Sequence, residues 1–224
     1  MSSGYVTLTD ELNDYVVAHR SNTGDPVLEA LRAETENLGE ISEMAVSIYQ
    51  AAVLNFIVSI IGVKWAVEVG TFTGTSSISI ARGLLPGGKL ICFDQDFRWV
   101  SIARRYWQKA GVQDRIDLRL GNARDLLPRF HPTQQLDFVF IDADKESYDI
   151  YYEALLPSVR TGGLIVFDNM LRGGDVIDPI QKTMSATRAI DQMNRKLASD
   201  DRVNSILLPI SDGLHMCRKR RPVI

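Results

Sequence analysis

Apolar residues along this chain recur first at helical spacing and then at strand spacing, with the change near Gly62. From Leu8 to Ala18 and from Pro26 to Leu38 the pattern predicts two amphipathic helices, the second capped by Asp25 with proline in its first turn. A third helix is predicted from Ser47 to Ile61, through Ile48, Ala52, Val53, Phe56, Ile57 and Ile60, and Gly62 ends it. Its broad apolar face calls for packing on a sheet or on a partner chain.

Beyond it, strands and helices alternate. Lys64 to Val69, Lys89 to Phe93, Arg115 to Leu120, Leu136 to Ile141 and Gly163 to Phe167 read as strands. Between and after them Thr75 to Leu85, Arg98 to Ala110, Asn122 to Leu127, Ser147 to Val159 and Met184 to Ser199 read as helices. The continuous apolar strands suit a parallel sheet covered on both faces, and the repeated order implies a doubly wound α/β sheet. Val203 to Leu208 and Gly213 to Arg218 are separated only by Pro209-Ile210-Ser211-Asp212, a connection that forces an antiparallel hairpin. The expected organisation is a helical extension over residues 1–62 packed on a core over 63–224, one structural domain in all.

Composition narrows the function classes. The chain has 224 residues, 45% of them hydrophobic, enough for one sizeable core. A net charge of −3 without a Lys/Arg stripe argues against a nucleic-acid footprint, and Arg218 to Arg221 reads as a solvated tail. Cys92 and Cys217 lie in apolar strands and read as buried small hydrophobes in a reducing compartment. The acidic start lacks a secretory leader's pattern, and no uninterrupted apolar run reaches spanning length, so the expected location is the cytoplasm, away from membranes.

Val67-Glu-Val-Gly-Thr-Phe-Thr-Gly74 joins a strand to a helix through two glycines, the kind of turn that forms the floor of a small-molecule site. The Gly-x-x-x-Gly spacing is neither the dinucleotide pattern nor a phosphate loop. Glu68 would repel a pyrophosphate but could receive an ammonium or ribose hydroxyls.

Three strands end in acids: Asp94, Asp142, and Asp168 with Asn169. In a parallel sheet those ends share one edge. Asp142, Asp168 and Asn169 offer the hard oxygens that magnesium or a similar divalent cation prefers. Each acid alone reads as readily as a helix cap. Lys145, three residues past Asp142, suits a general base beside such a cation, although a lysine after two acids is otherwise an ordinary salt-bridge partner. His19, His131 and His215 share no metal-ligand spacing. Trp65, Trp99 and Trp107 read as packing residues, with Trp99 close enough after Asp94 to border an adenine.

Glu-Val-Gly-Thr-Phe-Thr-Gly, Lys-Ala-Gly-Val, Ile-Asp-Ala-Asp-Lys, Gly-Gly-Leu-Ile-Val-Phe-Asp-Asn and Leu-Pro-Ile-Ser-Asp-Gly-Leu-His-Met-Cys occur in that order. Together, from about Met44 to the C-terminus, they resemble the cation-dependent O-methyltransferases that use S-adenosylmethionine, of the caffeoyl-CoA and catechol type. The resemblance implies a class I methyltransferase fold, a Rossmann-like doubly wound sheet, mostly parallel with one antiparallel strand near the C-terminus. It implies that Met44, Glu68, Gly70 and Ser76 contact the methionine part of the cofactor or its surroundings, that Asp94 holds the ribose, and that Ala123 borders the adenine. Asp144 is expected at the cofactor amino group, Asp142, Asp168 and Asn169 at Mg2+ or another divalent cation, and Lys145 as the base. Asp142 thus serves both catalysis and binding.

Two positions depart from the family pattern: Val46 stands where a threonine is frequent, and Ala51-Ala52-Val53-Leu54 replaces a Gly-x-Phe-Leu stretch. Both fall at the entrance to the acceptor pocket. The implied reaction is methyl transfer to one hydroxyl of a small vicinal aromatic diol, by a homodimer. A nicotinamide-dependent oxidoreductase would share the fold but should carry the dinucleotide glycines; a non-catalytic methyltransferase-like binding protein would lose the cation cluster.

Overall fold

The computed structural model describes residues 4, 6–21 and 23–221. Its strands are β1 (Trp65–Val69), β2 (Lys89–Asp94), β3 (Ile116–Leu120), β4 (Leu136–Ile141), β5 (Val159–Phe167), β6 (Val203–Leu208) and β7 (Leu214–Lys219). They form one seven-stranded sheet in the order β3-β2-β1-β4-β5-β7-β6. The first five are parallel, and β7 runs antiparallel to both β5 and β6. The expected class I methyltransferase architecture is therefore the observed one, with a single reversed strand.

Period-two alternation divides the core. Ala66, Leu90, Cys92, Phe138, Phe140 and Val166 face one side, and Val67, Val69, Val139, Ile141, Ile165 and Phe167 face the other. The first side is covered by α2 (Pro26–Glu36), α3 (Ile48–Ile61), α4 (Thr75–Gly83) and α5 (Phe97–Lys109). The second is covered by α6 (Ala123–Leu126), α7 (Tyr148–Leu155) and α8 (Ser185–Ser199), with Tyr148, Tyr151 and Tyr152 buried along α7. The chain's first helix, α1 (Asp10–Ala18), is capped by Thr9 but buries no residue.

The helical extension meets the core through both polar and apolar contacts. Asp25 caps α2 and also pairs with Arg82 of α4 at 2.5 Å. Thr35 donates to Thr73 in the glycine turn at 3.0 Å. Leu54 and Val58 of α3 are fully buried in the cluster that holds Ile78 and Ala81 of α4, while Phe56 and Ile60 on the far side are exposed.

Four expectations change. The helix predicted from Ser147 to Val159 ends at Leu155, because Pro157 cannot donate to the helix ladder and a 3-10 turn follows. β5 accordingly begins at Val159, four residues early, and takes up the excess in an irregularity opposite β4. Gly39–Ile61 spans 23 residues with enough hydropathy to cross a membrane, contrary to the sequence reading. Extended backbone at Ala45 and Ser47 interrupts it, leaving α3 with 14 residues, fewer than a span needs. The basic run near the end is only partly a tail: Lys219 lies in β7 and donates to the carbonyls of Leu156, Pro157 and Val159.

Leu54 is the α3 side chain whose loss tests this packing. Leu54→Ala should cost about 2–5 kcal/mol of unfolding free energy, read from urea denaturation. A change well under about 1 kcal/mol would mean that α3 does not depend on this contact.

Candidate active site

At the carboxyl edge of the sheet lies a cavity of about 840 Å³, within the size range of small-molecule sites. Its floor is the turn after β1. Gly70 has φ 88°, and a Cβ there would stand 1.8 Å from the carbonyl oxygen of Asp142, so only glycine lets the ends of β1 and β4 approach this closely. Gly74, at φ 97°, leaves no room for a Cβ against Ala103.

Asp94 ends β2 and organises this turn. Its Oδ2 accepts from the amides of Thr71 and Phe72 at 2.9 and 2.8 Å, and its Oδ1 from that of Asp96 at 2.9 Å. Oδ1, with a single donor, keeps a second lone pair for a ligand. Trp99 lines the cavity beside Phe72, their ring centroids 5.5 Å apart. Met44, Gly70, Ser76, Asp94, Ala123, Asp142 and Asp144 all line the cavity, as do Asp168, Asn169 and Lys145.

Glu68 is the exception. It is fully buried beneath the turn and outside the cavity wall, accepting from Thr71 Oγ1 at 3.0 Å and Cys92 Sγ at 3.3 Å. Its Oε1 has no hydrogen-bond donor at standard geometry, although Ser76 lies close enough to stabilise the charge. Thr71 and Ser76, which line the cavity, stand between Glu68 and that space. Burial pushes the Glu68 carboxyl from its ordinary 4.5 up to about 7, against the pull of these donors.

β4 and β5 bring Asp142 and Asp168 to adjacent strand ends, where the chain turns sharply and Asn169 takes φ 55°. Asp168 is 2% exposed. Its Oδ2 accepts from Gln50 Nε2 at 2.6 Å and its Oδ1 from the Asn169 amide at 2.6 Å. Burial first, and the charge of Asp142 second, push its carboxyl above the ordinary carboxylate range. Lys145 Nζ donates to Asp142 Oδ1 at 2.9 Å, Asn169 Oδ1 at 2.6 Å and the Tyr148 hydroxyl at 2.7 Å. The Tyr148 hydroxyl donates to the Asp168 carbonyl oxygen at 3.1 Å, and burial together with the two aspartates keeps that phenol protonated.

Among the described residues no three His, Cys, Asp or Glu side chains gather as a metal cluster; the set here is two carboxylates and an amide. The residues nevertheless fit a divalent cation. All three donors are hard oxygens, and the Lys145 ammonium already stands on two of them, marking a point where they converge on positive charge. Asp144, by contrast, is tied down by Ser147 and by the Tyr151 hydroxyl at 2.5 Å.

A family model described as O-methyltransferase matches residues 18–220. The chain belongs to the O-methyltransferase family. It falls in the cation-dependent, S-adenosylmethionine-using branch that its motifs resemble. The probable caffeoyl-CoA O-methyltransferase 2 of Dictyostelium discoideum is 32% identical, the match covering 96% of this chain and 94% of that protein. An O-methyltransferase from Bacillus cereus, solved in complex with SAH, superposes with a TM-score of 0.84 at 30% identity, covering 93% of this chain and 97% of that one. TomG from Streptomyces achromogenes, an O-methyltransferase involved in tomaymycin synthesis and solved with SAM, gives 0.84 at 27% identity, covering 94% and 96%.

Sequence reasoning alone passed over Gln50, Tyr148, Tyr151, Arg172 and Asp212. Gln50 left a signal: it shares the buried stripe of α3 with Leu54 and Val58, and a polar residue on such a stripe needs a partner. Asp212 left none. It accepts from Asn169 Nδ2 at 3.2 Å and from the Gly173 amide at 2.6 Å, contacts that only the fold creates.

Glu68 supplies a test of this electrostatic description. The folded protein holds its proton up to about pH 7 while the unfolded chain releases it near 4.5, so Glu68 lowers stability progressively as pH rises through that window. Glu68→Gln should gain stability relative to the wild type between about pH 5 and about pH 8, measured by urea unfolding without ligands. An identical pH dependence in both proteins would reject the raised carboxyl.

Proposed function

We propose that this protein transfers a methyl group from S-adenosylmethionine to one hydroxyl of a small vicinal aromatic diol, with a divalent cation such as Mg2+ at Asp142, Asp168 and Asn169. The observation that carries the reading is the meeting of those three oxygen donors and Lys145 in the cavity floored by the Gly70 turn. SAH and SAM occupy the Bacillus and Streptomyces relatives, which supports the same cofactor here.

In this proposal Met44, Gly70 and Ser76 surround the methionine part, with Glu68 acting through Ser76, while Asp94 receives the ribose hydroxyls and Ala123 borders the adenine. Asp144 faces the cofactor amino group while Ser147 and Tyr151 fix its orientation. The chemistry brought by S-adenosylmethionine is an electrophilic methyl on a positive sulfur, suited to a cavity rich in acids rather than to a phosphate cradle. A divalent ion supplies Lewis acidity to a hydroxyl oxygen, favouring its ionised form. Lys145, in its neutral form, removes the hydroxyl proton. Tyr148 and Asn169 hold its amine in place for that transfer. The new oxygen–carbon bond forms as the carbon–sulfur bond breaks in line, and the cavity walls hold the two reactants in that alignment. A homodimer belongs to the same proposal, with Phe56 and Ile60 of α3 offering exposed apolar surface to a second copy.

Lys145→Ala should lower kcat by roughly a hundredfold or more with a smaller change in acceptor KM, measured across the pH range. An unchanged kcat would remove the lysine from the proton transfer. The acceptor class is tested separately, by initial rates for a vicinal diol and its monohydroxy analogue with added magnesium or with excess chelator. The diol should react at least roughly a hundredfold faster, because two adjacent hydroxyls orient the reacting oxygen where one cannot, and chelator should abolish the rate. Equal rates for the two acceptors, or a diol rate indifferent to chelator, would sink this mechanism.

A further inference from the structure

The cavity wall carries more acids than bases, and its cations differ in how they are used. Arg98 pairs with Asp96 at 2.6 Å, and Lys145 pairs with Asp142 at 2.9 Å. Arg172 is half-buried in the same wall and makes no hydrogen bond or ion pair among the described residues; its Nε is buried without an acceptor. Asp212, an acid of the same wall, accepts instead from Asn169 Nδ2 and the Gly173 amide. A buried guanidinium nitrogen left without an acceptor is costly unless a ligand completes it.

Its position is held by the backbone. Arg172 has φ 51°, in the left-handed region, and is followed by Gly173 and Gly174 at 63° and 98°. Leu171 and Met170 just before it donate to the carbonyls of Asp212 and Gly213 at 2.8 and 3.0 Å. The strained turn therefore carries the arginine three residues past Asn169, on the side of the cavity where the acceptor's reacting hydroxyl is expected. Its charge reaches the Tyr148 hydroxyl, the same group that holds Lys145.

We propose that Arg172 is a specificity-determining residue that binds an anionic substituent of the acceptor, a carboxylate or phosphate. The inference rests on the proposed methyl transfer to a vicinal diol and adds the acceptor's charge. Arg172 presents several donors in one plane, which suits an oxyanion better than a neutral ester or hydroxyl. Loss of one such charge-assisted contact corresponds to roughly tenfold or more in apparent affinity.

The experiment compares three acceptors built on one dihydroxycinnamic acid: the free carboxylate, its CoA thioester with phosphates, and its neutral methyl ester. In the wild type, kcat/KM should favour at least one anionic acceptor over the methyl ester by roughly tenfold, and the preference should weaken with added salt. Arg172→Gln should raise KM for that acceptor by roughly the same factor while leaving its kcat and the ester's KM nearly unchanged. Arg172→Lys should restore part of the loss. Which anion responds identifies carboxylate or phosphate as the group recognised. Calorimetric titration with S-adenosylmethionine gives a fold control that should not move. A KM unchanged for both anionic acceptors, or raised equally for the ester, would overturn the assignment of Arg172. Failure of the wild type to methylate any of the three would instead remove the diol reading on which it rests.

Discussion

Asp142 and Asp168 leave neighbouring parallel strands side by side, and their mutual repulsion in a mostly dry setting is the constraint around which the rest of the site is arranged. Every group nearby answers it. Gln50 reaches from α3 to one oxygen of Asp168, the following amide takes the other, and Lys145 places positive charge against Asp142. Removing the donors would leave buried acceptors unsatisfied, whereas adding a cation completes them. The helical extension is thereby bound into the chemistry, since Gln50 is one of its residues.

Much of this was legible in the chain because three of the first five strands, β2, β4 and β5, close on an acid. Leu136–Ile141 and Val203–Leu208 have the boundaries that pattern predicts. The fold then converts three separate sequence positions, Asp94, Asp142 and Asp168, into one edge lining one cavity. What stayed hidden depends on contacts between distant segments. Nothing local to Pro157 says that β5 begins at Val159, and nothing local to Asp212 says that it will support Asn169. Glu68 is placed by a related constraint: its spacing marks the strand end correctly, and the fold buries its side chain beneath the turn.

The two ends of the cavity differ in electrostatic character. Around the Gly70 turn, Asp94 and Glu68 sit among amide, hydroxyl and thiol donors, a setting suited to a cofactor bearing positive charge and ribose hydroxyls. Around Asn169 the acids are matched by Lys145 and accompanied by Arg172. A pair of reactants with opposite demands can then lie in one continuous space without exchanging places.

The reversed strand β7 also determines when the site can exist. Because β7 inserts between β5 and β6, it returns the Ser211–Gly213 turn to the edge where Met170, Leu171, Gly173 and Asn169 lean on it. The residues that brace Asn169 are therefore synthesised well after Asp142 and Lys145. Synthesis of β1 to β5 and the glycine turn therefore precedes that of the turn that braces Asn169, and this edge of the cavity is complete only once β7 has been made.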